Sequence, residues 1–172
     1  MTVGPLLARL RRATAPLHDR LDTTLRVVER LSSPERRAAL IEAYGRLHDA
    51  GDGAMRPWLQ AVPNLDYSDR RVPGAGSPFA ALQSEAEALG ALYVLEGATL
   101  GGRIILRELA ARGVRLDDLQ FLDPYGDRAG ERWRSFVQIL EQRGAADPEG
   151  VERGAILAFD FAEACLSEKV LA

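Results

Sequence analysis

Cysteine is almost absent. Cys165 is the single one in 172 residues, which excludes an internal disulfide and fits a reducing compartment. Histidine is nearly as scarce, with only His18 and His48. One thiol and two imidazoles argue against a structural zinc site, which takes four such ligands. Neither histidine has a glutamate three residues before it, since Ala15 and Gly45 hold those positions. The Glu-x-x-His pairs of a carboxylate-bridged di-iron bundle are therefore missing too. No excess of basic charge exists: 22 Lys and Arg stand against 25 Asp and Glu, a net charge of -3, so nothing global points to nucleic acid. The opening MTVGPLLARLRR places two arginines after a short apolar run, the reverse of a secretory signal. No uninterrupted apolar run reaches the roughly 20 residues of a membrane span, and the closing ACLSEKVLA is no anchor. The expectation is a cytoplasmic protein with neither a membrane nor a nucleic-acid partner.

Strand signals are also lacking. Alternating β-branched runs bounded by turns do not recur, whereas helical spacing does. Leu10, Leu17, Leu21 and Leu25 fall on one helical stripe, with the smaller Thr14 between Leu10 and Leu17. Pro16 removes a backbone donor from that segment, so a kink or a break is expected near 14–16. Ser33-Pro34-Glu35 reads as a helix start, and the helix is expected to run to about 61 with weak points at Gly51 and Gly53. Residues 62–78 read as loop. Further helices are expected from about 84 to 112, 129 to 143 and 148 to 170, with LDDLQFLDPYGDR as a turn-rich connection. With 47% hydrophobic residues and no internal repeat or low-complexity tract, the chain reads as one all-α domain over 1–172, built from six to eight helices.

What is present in excess is glycine inside one helix. The stretch GALYVLEGATLGGRIILREL (90–109) has helical periodicity, yet Gly97, Gly101 and Gly102 fall within six positions. Together they cost the helix roughly 2–3 kcal/mol relative to alanine, against a total stability of about 5–15 kcal/mol for a domain. Two readings follow: close packing of another helix, or the approach of something flat to bare backbone. His18 lies seven residues after Arg11, so the two project from nearly the same helical face about 10 Å apart. A single histidine suits a heme iron, because the porphyrin supplies the in-plane ligands. A heme is also flat, and its carboxylates pair well with arginine. Against these stand plainer roles: His18 and His48 as uninvolved side chains, Arg11 and Arg134 as solvated charges, and Tyr93 and Trp133 as core. Glu96, an acid within an apolar helix, is expected to pair with a basic side chain.

Three segments in order carry a family resemblance: LRRATAPLHDRLD (10–22), ALYVLEGATLGG (91–102) and FLDPYGDRAGERWRSF (121–136). In these the chain resembles the heme oxygenase family, most closely its bacterial branch, which includes relatives associated with bacteriophytochromes. The resemblance implies a multi-helical bundle with heme sandwiched between a proximal and a distal helix. It implies His18 as the proximal iron ligand, and Gly97, Gly101 and Gly102 on the distal helix over the opposite heme face. Arg11 and Arg134 match positions of basic residues near the propionates, Tyr93 a pocket or propionate contact, and Phe159 a residue packing near the heme. The implied reaction cleaves heme, both substrate and cofactor, with O2 and electrons to biliverdin, CO and ferrous iron. The electrons would come from an external donor such as a ferredoxin or a flavoprotein reductase.

The sequence departs from that family at three places. Ala98 stands where relatives often have serine, Ala129 where a threonine is expected, and the connection over 66–84 is short. These departures leave two alternatives: a heme-binding protein that does not turn over, and a degenerate relative that serves as an interaction module.

Overall fold

The computed structural model describes residues 4–66, 79 and 81–167. In chain order it contains α1 (Pro5–Leu25), α2 (Val27–Ser32), α3 (Pro34–Leu59), α4 (Glu85–Ala111), α5 (Ala129–Arg143) and α6 (Pro148–Leu166). Short 3-10 turns lie at Gln120–Leu122, Gly126–Arg128 and Gly144–Ala146, and no strand occurs among the described residues. The fold is thus all-α. Most of the loop expected over 62–78 and the expected helical extension over 168–170 lie outside the described residues.

Local chemistry sets most helix starts. Ser84 caps α4 by accepting from the Glu87 backbone N–H at 3.2 Å, while the Glu87 carboxylate accepts from Gln83 N–H at 2.8 Å. This is close to a capping box, shifted back by one residue. Asp147 caps α6 by accepting from Gly150 N–H at 2.8 Å, with Pro148 next in line. Ser33 precedes α3 in extended conformation, as SPE suggests, but its hydroxyl donates to Glu35 instead of capping the backbone. The α1 start is satisfied from a distance. Leu6 and Leu7 N–H donate to the Glu141 carboxylate of α5 at 3.2 and 2.8 Å, which also places an anion at a helix N-terminus.

Two expectations are corrected. No break occurs at 14–16: α1 runs through Pro16. The carbonyl that loses its donor belongs to Arg12, and both residues are exposed, so water can take that acceptor. The chain breaks instead at Arg26, whose φ of 44° is left-handed and separates α1 from α2. Gly51 and Gly53 do not interrupt α3.

The core is a leucine-rich cluster, including Leu10, Leu40, Leu89, Leu92, Leu109 and Leu140, joining all the long helices. By length and composition α4 is apolar enough to cross a membrane, a property that counting uninterrupted apolar runs misses. Here its apolar side chains Ala88, Leu89, Ala91, Leu92 and Leu95 are buried in the core. Its closest partner is α6. A Cβ on Gly90 would sit 1.9 Å from the Val151 carbonyl oxygen, and one on Gly154 would sit 1.9 Å from that of Glu87. The two backbones therefore touch, which no side chain would permit.

Candidate active site

α1 is fixed to its neighbours by polar contacts along its length. Arg9 reaches Glu152 at 2.6 Å, and Arg20 pairs with Glu163, both on α6. From Arg11 onward α1 turns one face toward a cavity of about 390 Å³, within the usual range of roughly 300–1,000 Å³ for small-molecule sites. α1 lines it with Arg11, His18, Leu21, Asp22 and Leu25, while α4 contributes Tyr93, Val94, Leu95, Gly97, Ala98, Gly101 and Ile105. Tyr44 and Leu47 of α3, Trp133 of α5, and Phe159, Ala162 and Leu166 of α6 complete most of the wall.

On the α1 side, His18 Nδ1 lies 3.2 Å from a carboxylate oxygen of Asp22, one helical turn on. That spacing, i and i+4, brings the two side chains together. In neutral imidazole, an Nδ1–H donated to Asp22 leaves the lone pair on Nε2. The Phe159 ring stands edge-on to the imidazole, with centroids 6.2 Å apart. The His18 side chain is 62% exposed and lines the cavity.

On the α4 side the glycines separate. Gly97 and Gly101 are one turn apart and both line the cavity. A Cβ on Gly101 would meet nothing within 4 Å, and one on Gly97 would make only ordinary contact with Trp133 at 3.9 Å. Gly102 does not line the cavity: its Cβ position is 1.9 Å from the Leu122 carbonyl oxygen. The expectation of three glycines over one ligand face is thus corrected to two. Gly102 lies about 100° further round the helix and serves close packing.

Among the remaining candidates, Arg11 is exposed at the cavity wall, Tyr93 packs on Trp133 with ring centroids 6.0 Å apart, and Phe159 is buried. Arg134 is exposed and lies outside the cavity lining; its neighbour Trp133 takes the inward position. His48 stacks on Tyr44 and does not line the cavity. Glu96 is buried away from the cavity, accepting from the Tyr125 hydroxyl at 3.4 Å. It also shares a small pocket with Arg132. Burial pushes the Cys165 thiol up, which disfavours a thiolate. No group of three or more His, Cys, Asp or Glu able to hold a metal exists among the described residues. Sequence reading missed Asp22 and Tyr44. The i,i+4 spacing in HDRLD could have shown the first; nothing local marks the second.

Fold and cavity together define a helical bundle around a cavity, with the His18 imidazole paired to Asp22 on one wall and bare backbone on another. No family model matches the chain. It is 31% identical over 145 residues to a heme oxygenase of Xanthomonas campestris pv. campestris, spanning 76% of this chain and 88% of that one. Its fold matches the NO- and CO-bound heme oxygenase from Neisseria meningitidis with a TM-score of 0.78 and 22% identity, over 98% of this chain and 93% of that one. The chain belongs to the bacterial heme oxygenase family and is an enzyme of that class.

Proposed function

We propose that the chain binds heme in this cavity as both substrate and cofactor and cleaves it, with O2 and electrons, to biliverdin, CO and ferrous iron. The observation that carries the reading is the pairing of one cavity's two walls: the His18–Asp22 pair on α1 and the bare Gly97–Gly101 face on α4. A flat macrocycle fits between such walls because no side chain projects from the two glycines. Heme would supply the iron and the redox chemistry, and the protein positions and tunes it.

In this proposal His18 offers Nε2 to the iron, and Asp22 holds the ring by accepting from Nδ1. Phe159 restricts rotation of the imidazole by its edge contact. Arg11, at the cavity wall, pairs with a heme carboxylate, and Tyr93 donates to one. Gly97 and Gly101 let the α4 backbone lie close to the opposite heme face. The apolar side chains Leu21, Val94, Ile105 and Trp133 exclude bulk water from the ring. Residues 1–172 would act as a single cytoplasmic domain, supplied with electrons by a ferredoxin or a flavoprotein reductase.

Ala98 on the cavity wall offers no hydroxyl or carboxylate, and this favours a second reading, a heme-handling protein without turnover. One experiment separates them. The purified protein is mixed with hemin and given a reductant under air with catalase present, and the spectrum is followed. Loss of the Soret band with growth of a biliverdin band is expected. A Soret band that persists under reduction supports heme handling instead, and no band at all leaves an interaction module. In His18→Ala the normal axial ligation should be lost, and an unchanged heme spectrum would reject His18 as the ligand.

A further inference from the structure

The α4 wall has almost no hydrogen-bond donors. Its lining residues from Val94 to Ile105 are aliphatic or glycine, and the nearby Thr99 hydroxyl donates to the Glu96 carbonyl at 2.7 Å instead. A side-chain donor on that side has to come from another helix. Tyr44 of α3 lines the cavity, its ring held between His48 and Phe121 at centroid distances of 6.4 and 5.4 Å. Its hydroxyl has no hydrogen-bond partner among the described residues.

Tyr44 stands between the two walls: the Asp22 charge of the α1 wall reaches its phenol, while α3 itself packs on the α4 wall. Two turns along α3 from Tyr44, Gly51 meets Leu95 of α4, with a Cβ there lying 2.9 Å from Leu95 Cδ1. Burial, aided by the Asp22 charge, pushes the phenol up to about 12, so it remains a protonated donor throughout the neutral range. The hydroxyl is not closed off by protein, so it opens to the cavity, where an acceptor on a bound ligand can pair with it.

We infer that Tyr44 donates a hydrogen bond to a small ligand bound on the α4 side of the heme, supplying from α3 the donor that Ala98 does not provide. The inference rests on the heme reading above and assigns Tyr44 a positioning role toward the outer atom of that ligand. Carbon monoxide is the probe, since its C–O stretch falls when its oxygen accepts a hydrogen bond. The ferrous heme–CO complexes of the wild type and Tyr44→Phe are compared by infrared spectroscopy in ordinary and heavy water. Tyr44→Phe removes only an unpartnered hydroxyl, so it is expected to fold and take up hemin as the wild type does. The expected result is a C–O stretch shifted to higher frequency in the variant, with loss of the heavy-water shift seen in the wild type. Identical bands and isotope shifts in both proteins would overturn the role of Tyr44 and leave heme binding intact. Failure of the wild type to take up hemin would overturn the heme reading and the inference with it.

Discussion

α4 carries four glycines on two kinds of surface. Gly90 and Gly102 are closed: each would place a Cβ 1.9 Å from a backbone oxygen of a neighbouring segment. Gly97 and Gly101 are open, one lightly against Trp133 and the other against nothing. The same residue thus does opposite work within one helix. On the closed surface glycine admits another backbone and holds the bundle together. On the open surface it gives up helix stability of about 0.5–1 kcal/mol per residue and leaves space. That contrast is what separates the ligand reading from the packing reading, because packing alone explains only half of the glycines.

The contrast can be broken most forcefully at Gly90. Gly90→Val should destabilise the protein by at least about 3 kcal/mol, because two helix backbones would have to separate; urea unfolding measures it, and a small loss would mean that the seam is looser than described. Gly102→Ala comes next, with an expected loss of about 1–3 kcal/mol. Its obstacle is Leu122 on a short 3-10 turn, which can shift more readily than a long helix. Gly101→Ala should act in the opposite direction, raising stability by up to about 1 kcal/mol in the same assay. A loss there would show that the open face is occupied by protein.

The smallest effect serves as a control outside the cavity lining. Arg37 hydrogen-bonds Asp118 and holds its carboxyl below the usual carboxylate range. The pair therefore contributes stability above the ordinary aspartate value, and that contribution is lost as pH falls through the depressed one. Asp118 is largely exposed, so the contribution is at most about 1 kcal/mol. Acid titration of Asp118→Asn should show a slightly weaker fall in stability than the wild type, with no change in hemin uptake.

Much of this was legible in the chain, for physical reasons that differ by feature. Helix starts at Ser33, Ser84 and Asp147 depend on a few adjacent residues, so local pattern reveals them. The all-α class follows from spacing alone. The His18–Asp22 pair is likewise local, one turn of helix, although the aspartate was overlooked. Gly102 was grouped with its neighbours because sequence proximity hides a 100° rotation about the helix axis. Its true partner, Leu122, is brought to it only by the tertiary fold. Arg134 shows the same limit: its neighbour Trp133 lines the cavity, whereas Arg134, about 100° further round the helix, is exposed outside it. Nothing near Arg26 forecast a left-handed residue, since neither glycine nor asparagine stands there. Tyr44 gave no signal because its significance lies in having a cavity and no partner.

The central claim is that the open glycines exist to admit heme, and Gly101→Leu tests it most directly. Leucine is a good helix former and meets no protein atom near its Cβ, so the variant should be at least as stable as the wild type. Hemin titration of the two proteins, followed at the Soret band, should then show binding weakened at least tenfold in the variant. Equal hemin affinity with an unaltered spectrum, in a variant at least as stable as the wild type, would contradict the claim.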